Sequence, residues 1–183
     1  MINNFLTIVI PCKNDIIGLR RTIESISRKT KISGTSIFVL DFQSTDGSPQ
    51  YATQASSEML KMVRIESIKI EEGESIKDVA DIIKTDYVLT INTGSVFNDI
   101  DAILKSINSI LTDNQYPIVY LKPSNIFNNI ISRFNPNRRT ISAVLSRKEL
   151  VKNIDFEFGN NSKEIILGKE VLSQGIKIGG FTD

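Results

Sequence analysis

Charged and polar side chains follow directly after three apolar runs of this sequence. Lys13 and Asn14 come after the run that begins at Leu6, Asp41 follows Phe38-Val39-Leu40, and Asn92 follows Val88 to Ile91. A carboxylate can accept a proton or hydrogen bonds, and an ammonium group can neutralise a bound anion. The chain has no histidine, which excludes histidine-based triads and histidine-ligated zinc. Any acid–base chemistry therefore depends on carboxylates, lysines or tyrosines.

Two predicted parallel strands and the helix between them position these side chains. Leu6 to Ile10 and Ser36 to Leu40 are short, β-branched apolar runs that stop at turn-forming residues, as buried parallel strands do. Between them, Asp15 to Arg28 has its apolar residues on one helical face, with Asn14 or Asp15 as the candidate cap. Ligands of open α/β sheets bind at the carboxyl ends of the strands. The sequence therefore predicts a binding site after these strands.

Strands and helices continue to alternate along the chain, so we expect one α/β domain, with a mixed, largely parallel sheet covered by helices on both faces. The strictly alternating Val63 to Ile70 is predicted to lie toward an edge of the sheet. The other predicted strands are 87–91, 118–121 and 141–145, and the other predicted helices are 48–61, 76–83, 100–111, 147–153 and 163–173. Residues 122–139 are predicted to form a loop or flap, with a short amphipathic helix at 126–134 as the alternative.

Composition limits the class of protein. At 183 residues with 40% hydrophobic and 23% charged residues, the chain suits a single globular domain that needs no metal or disulfide to fold. A net charge of +1 argues against nucleic acid as the main partner. The single cysteine, Cys12, suits a reducing cytoplasm and is interpreted as a buried structural thiol. No apolar run is long enough to predict a transmembrane helix or a signal peptide.

A family resemblance rests on two stretches of sequence and the helix between them. The stretches are Ile8-Val9-Ile10-Pro11-Cys12-Lys13-Asn14 and Leu40-Asp41-Phe42-Gln43-Ser44-Thr45-Asp46-Gly47-Ser48. They resemble the opening of the family 2 inverting glycosyltransferases of the GT-A fold, which reads roughly VIIPxYN, a helix, then VVDDGSTDG. The resemblance implies one GT-A-like domain over residues 1–183, with a nucleotide-binding half at 1–95 and an acceptor-side half at 96–183.

The resemblance also implies the roles of individual residues. Glu164 matches the position of the catalytic base, which deprotonates the acceptor hydroxyl, and Asp41 matches a nucleoside contact. The remaining donor-binding positions are Pro11, Lys13, Asn14, Lys77, Asn92 and Gly94. The implied partners are a nucleotide-sugar donor and a glycan or lipid-linked acceptor in surface-polysaccharide assembly. The expected location is the cytoplasm, with peripheral contact at the inner face of the membrane as the alternative.

Two departures from the family pattern concern the donor site. Where the family has paired aspartates that contact the nucleotide base, this chain has Asp41-Phe42. Phe42 is expected either to stack on a base or to pack beneath the loop. The DxD motif that holds a divalent metal becomes Asn92-Thr93-Gly94. Hard cations prefer carboxylate and other oxygen ligands, so no metal cofactor is expected. Either Lys13, Lys77 and backbone amides stabilise the diphosphate instead, or the domain is a noncatalytic binding or scaffold module.

Structural interpretations stand beside the functional ones. Asp41 and the Asp46-Gly47 pair both suit turns, and Glu164 suits the first turn of a helix. Lys13 and Lys77 also suit solvated surface positions. The Arg138-Arg139 pair suits either a solvated loop or a contact with anionic lipid or a lipid-linked acceptor. Two other folds fit poorly. A receiver domain needs an acidic pair after its first strand, and a dinucleotide-binding domain needs a GxGxxG motif there.

Overall fold

A seven-stranded mixed sheet forms the centre of the protein. The structure, a computed structural model, describes residues 6–29, 35–59, 63–71, 79–95, 118–121, 143–158, 163–167 and 178–181. The strands of this sheet are β1 (Leu6–Cys12), β2 (Thr35–Asp41), β3 (Val63–Lys69), β4 (Tyr87–Ile91), β5 (Ile118–Leu121), β6 (Ala143–Arg147) and β9 (Ile178–Phe181). A separate two-stranded sheet consists of β7 (Ile154–Phe158) and β8 (Lys163–Leu167).

The strand order in the large sheet is β3-β2-β1-β4-β6-β5-β9. Strands β3, β2, β1 and β4 are parallel, β6 is antiparallel to both of its neighbours, and β5 is parallel to β9. This arrangement confirms the predicted mixed, largely parallel sheet. It also confirms the edge position of β3, whose alternating pattern leaves Ser67 and Lys69 exposed while Ile65 is buried.

Alternation along the central strands supplies apolar side chains to both faces of the sheet. On one face, Ile8, Ile37 and Leu89 pack with residues of helix α1 (Ile16–Lys29) and helix α2 (Ser48–Met59). The opposite face forms a second core cluster, which packs against two 3₁₀ helices, Ala80–Ile82 and Lys148–Asn153, and their neighbours. The residues of this second cluster are Val9, Phe38, Leu40, Ile70, Val79, Ile83, Val88 and Val151. Together the two clusters bury the centre of the sheet on both sides.

Helix α1 begins immediately after the loop that follows β1. The Asp15 side chain accepts a 3.0 Å hydrogen bond from the Gly18 backbone N–H, and the Asp15 carbonyl accepts one from Leu19. Of the two predicted caps, Asp15 therefore is the one that caps the helix. A side chain at position 18 would collide with the Asp15 carboxylate, so the glycine makes room for this cap. Within the described residues, no helix is long and apolar enough to cross a membrane.

The prediction of a helix at 163–173 is wrong for its first half. Residues Lys163–Leu167 form β8, which pairs antiparallel with β7. The run Ile165-Ile166-Leu167 fits the helical period and the strand period equally, and β-branched residues favour the pleated strand when a partner is available. The predicted helix at 147–153 is a 3₁₀ helix over Lys148–Asn153. The predicted helices at 100–111 and 126–134 lie outside the described residues.

Candidate functional site

The loops that follow β1, β2 and β4 leave the same edge of the sheet. Strand order reverses between β1 and β4, because β2 and β3 lie on one side of β1 and β4 lies on the other. The register pairs Cys12 with Asp41, and continuing the pairing of Val9 with Thr90 brings Asn92 level with Pro11. Ligands of open α/β sheets bind outside the carboxyl ends of strands at such a reversal. The candidate site is therefore this edge.

Hydrogen bonds join the loop after β1 to the loop after β2. The Phe42 N–H donates to the Cys12 carbonyl at 2.9 Å, and the Asn14 N–H donates to Ser44 Oγ at 2.9 Å. In the reverse direction, the Thr45 N–H donates to Asn14 Oδ1 at 2.8 Å. Asn14 has a φ of 50°, a left-handed conformation that asparagine tolerates better than most residues. Asn14 thus connects the two loops rather than capping α1.

Asp41 is buried beneath the second of these loops. The residue is 4% exposed, and both of its carboxylate oxygens accept hydrogen bonds of 3.2–3.3 Å from the Ser44 backbone N–H. Phe42 is partly buried and packs against the second core cluster, which favours packing beneath the loop over an open stacking position. The Asp41 carboxylate therefore stabilises the turn at the position that the family resemblance assigns to the nucleoside.

Asp46 links the amino-terminal ends of both helices. Its Oδ2 accepts a 2.7 Å hydrogen bond from the Ile16 N–H, at the start of α1. Its Oδ1 accepts bonds of 3.1 Å and 2.6 Å from the N–H and the hydroxyl of Ser48, at the start of α2. Burial by itself raises the pKa of the Asp46 carboxyl, but the hydrogen bonds from Ser48 and Ile16 outweigh it and hold the pKa below its ordinary value.

The sequence interpretation of Asp46 as a turn residue missed this double role. An aspartate two residues before a predicted helix start is a recognisable signal for α2. Its bond to Ile16, thirty residues earlier, depends on the tertiary arrangement of the two loops and has no local signal.

The loop after β4 is a tight turn that is held against α1. The Ser95 N–H donates to the Asn92 carbonyl at 3.2 Å, and Gly94 has a φ of 86°, which fits the third position of a type II turn. The Gly94 N–H lies 3.1 Å from the Gly18 carbonyl and 3.0 Å from Thr22 Oγ1. The Thr22 hydroxyl in turn donates to the Ser95 carbonyl at 3.1 Å. Two positions on α1 therefore fix this turn.

The side chains of this turn do not fit a divalent metal. Asn92 offers a neutral amide, and Gly94 has no side chain, where a DxD motif supplies two carboxylates. Across the part of the chain that the structure describes, no group of three or more Asp, Glu, His or Cys residues has the arrangement of a metal site.

Most of the predicted donor-binding residues meet at this edge. Pro11, Asp41 and Asn92 are buried there, and Lys13, Asn14 and Gly94 are exposed. Cys12, which is fully buried, forms part of the core, as predicted. The predictions for Lys77 and for Arg138-Arg139 concern residues outside those described.

Glu164, the predicted base, lies on a strand of the small sheet and not on a helix. It occupies the second position of β8, where its register partner on β7 is Glu157. Its backbone therefore belongs to a different element from the strands that bring Asp41 and Asn92 together.

Solved structures of glycosyltransferases share this fold. The mannosyltransferase PcManGT from Pyrobaculum calidifontis, solved with GDP-Man and Mn²⁺, superposes with a TM-score of 0.71 over 97% of this chain at 13% identity. Glucosyl-3-phosphoglycerate synthase from Mycobacterium tuberculosis, solved with UDP, gives 0.61 over 97% at 14% identity. TarS from S. aureus, solved with UDP-GlcNAc, gives 0.57 over 84% at 15% identity. The chain therefore has the GT-A fold that its sequence predicted.

The chain spans only part of these proteins. It covers 55% of the mannosyltransferase, 48% of the TarS chain and 70% of the synthase. No family model and no curated protein sequence matches the chain.

Proposed function

We propose that this protein binds a nucleotide-sugar at the edge formed by β1, β2 and β4 and transfers the sugar, with inversion, to a glycan or lipid-linked acceptor. The observation that carries the proposal is the reversal of strand order between β1 and β4. At this reversal, the register of the two strands places Pro11 level with Asn92. The solved proteins with this fold include complexes with GDP-Man, UDP and UDP-GlcNAc.

The donor's diphosphate would lie against the turn after β4 without a metal. Lys13 is exposed at the end of β1, where its ammonium group can neutralise phosphate charge. The turn beside it carries no acid at positions 92–94, so phosphate oxygens meet no like charge there. Charge that develops on a leaving diphosphate is stabilised by cationic groups and amide dipoles as well as by metals. Asp41, at the end of β2, would contact the nucleoside, with Lys77 as a second candidate cation.

Acceptor activation would depend on Glu164. An inverting transfer needs one base that takes the proton of the acceptor hydroxyl as the sugar bond forms, and in this chain, which has no histidine, a carboxylate is the best candidate. The resemblance to family 2 assigns this position. The same resemblance supports a role in surface-polysaccharide assembly, and the single cysteine, Cys12, supports a cytoplasmic location.

Nucleotide binding is the test of this proposal. Thermal unfolding is measured with UDP, GDP and their sugar conjugates, in EDTA and in Mn²⁺. A ligand at about a hundredfold over its dissociation constant stabilises the protein by roughly 2.7 kcal/mol. A charge-matched pair of variants provides the control, because Lys13 and Lys84 are both exposed but flank opposite ends of the parallel strands.

Lys13→Gln is expected to weaken the binding, and Lys84→Gln is expected to leave it unchanged. If no nucleotide shifts the unfolding temperature at millimolar concentration, the transferase proposal fails.

A noncatalytic binding or scaffold module is the second candidate. It is favoured by the contacts of the loop after β2, where the Asp41 carboxylate bonds Ser44 and Phe42 packs against the core. This function predicts that the protein binds a glycan or a partner but neither hydrolyses nor transfers sugar from any donor. Release of the donor nucleotide, measured over hours with several acceptors, separates the two functions.

A further inference from the structure

We infer that Thr22 is a positioning residue for the diphosphate, acting through the turn after β4. This inference rests on the proposed function. Thr22 lies on the second turn of α1 and is fully buried, so it cannot contact a nucleotide directly. Its hydroxyl accepts a hydrogen bond from Gly94 and donates one to Ser95. One side chain thereby holds both a donor and an acceptor of the turn that begins at Asn92.

The hydrogen bonds of the Thr22 hydroxyl join it to the loop and not to its own helix. A threonine hydroxyl within a helix can instead bond back to the carbonyl four residues earlier, which for Thr22 is Gly18. Here the Gly18 carbonyl accepts a bond from the Gly94 N–H, and the Thr22 hydroxyl donates to the Ser95 carbonyl instead. The Gly18 carbonyl and the Thr22 hydroxyl of α1 therefore both bond the turn after β4.

This contact matters most because the turn after β4 carries no carboxylates. A metal bridging two acids would fix both the loop and the phosphate. Residues 92–94 provide no such acids, so the position of the turn depends on its own hydrogen bonds. Binding groups must be held close to their working geometry to be effective. The Thr22 hydroxyl supplies this restraint from inside the fold.

Three variants separate a positioning role from a purely structural one. Thr22→Val removes the hydroxyl at nearly constant volume, and Thr22→Ser keeps the hydroxyl but removes the methyl group. Ser25→Ala is the matched control, because Ser25 is also buried on α1, and its hydroxyl donates to the Thr22 carbonyl rather than to the loop.

Affinities for UDP and GDP, and for uridine and guanosine, are measured in EDTA, where the nucleosides report binding without phosphates. We expect Thr22→Val to weaken diphosphate binding about tenfold, which corresponds to the loss of one good hydrogen bond. Nucleoside binding should stay near the wild-type value, Thr22→Ser should restore diphosphate binding, and Ser25→Ala should behave as wild type. Equal losses for nucleosides and diphosphates, no loss at all, or no rescue by serine would overturn the inference.

Amide hydrogen exchange at Gly94 distinguishes this inference from the proposed function. Thr22→Val should accelerate the exchange, and Thr22→Ser should not. If wild-type protein binds no nucleotide, the proposed function fails and the phosphate role of Thr22 fails with it. Faster exchange in Thr22→Val would then still show that Thr22 fixes the turn, and unchanged exchange would overturn that part as well.

Discussion

The carboxylate of Asp46 accepts a 2.7 Å hydrogen bond from the backbone N–H of Ile16, thirty residues earlier in the chain. The same carboxylate bonds Ser48 at the start of the next helix. The amino-terminal ends of α1 and α2 therefore share one anion, which accepts a hydrogen bond from one backbone N–H group of each helix and suits both helix dipoles. This arrangement fixes the loops after β1 and β2 with respect to each other.

Replacing Asp46 should destabilise the protein. Asp46→Ala removes capping interactions at two helices, and each lost cap costs roughly 1 kcal/mol, so we expect a loss of about 2 kcal/mol. Urea denaturation measures this change. Asp81→Ala is the control, because Asp81 is exposed in a 3₁₀ helix, and surface substitutions usually change stability by less than about 0.5 kcal/mol. A loss no greater than the control would contradict the shared cap.

The stabilising effect of Asp46 should depend on pH. Its folded-state pKa is lowered, so the unfolded chain binds the proton more tightly. The contribution is therefore complete above the unfolded pKa and is lost as pH falls through the folded pKa. The difference in unfolding free energy between wild type and Asp46→Asn should be constant near neutrality and shrink in the acid range below the ordinary aspartate pKa. A difference that grows toward acid pH would show that the assigned sign is wrong.

Gly94 should resist substitution because of its backbone conformation. Its φ is 86°, and a Cβ added there would meet no atom within 4 Å, so any cost comes from the backbone alone. We expect Gly94→Ala to destabilise by about 1–2 kcal/mol. Gly94→Asn should cost less, because asparagine visits positive φ more readily. Equal stability of wild type and both variants in thermal unfolding would contradict the positive φ assigned to Gly94.

Nucleotide binding should not require a divalent metal. Asn92-Thr93-Gly94 lacks the acids of a DxD motif, so the affinity measured by calorimetry in EDTA should match that in Mn²⁺ or Mg²⁺. PcManGT, solved with GDP-Man and Mn²⁺, is the comparison protein for the same titration. Binding that disappears with EDTA and returns with manganese would contradict this expectation.

Glu164→Gln should abolish sugar transfer while it leaves donor binding intact. General-base help contributes roughly a hundred- to ten-thousandfold, so turnover should fall by at least the lower figure. Glu157→Gln changes the register partner on β7 and is the matched control for damage to the small sheet. Normal turnover by Glu164→Gln would exclude it as the base. An equal loss in both variants, with weakened folding, would assign the effect to the sheet.

The sequence predicts the site-forming part of the fold well. Strands β1, β2 and β4 lie within a residue or two of their predicted ends, because each is an apolar β-branched run that ends at turn-forming residues. Strand β8 could not be predicted in the same way, since Ile165-Ile166-Leu167 satisfies both periods and the pairing with β7 decides between them.

The partners of the site residues are harder to predict than their positions. The strand ends place Asp41 and Asn92 at one edge, which the sequence indicates. The bonds from Thr45 to Asn14 and from Gly94 to Thr22 join residues far apart in the chain. Such bonds depend on how the loops pack, and no local pattern of residue types specifies them.

The order of strand pairing has a consequence for how the chain folds. Thr7 pairs with Ser36, and Thr35 pairs with Val63. Strands β1, β2 and β3 therefore pair with one another across comparatively short stretches of chain, which contain α1 and α2. Leu6 pairs with Tyr87, and Tyr87 with Arg147, across much longer stretches of chain. Because closing a longer loop costs more entropy, β1–α1–β2–α2–β3 is the expected folding nucleus. The proposed binding edge would then be completed late, when β4 docks beside β1 and brings its turn to α1.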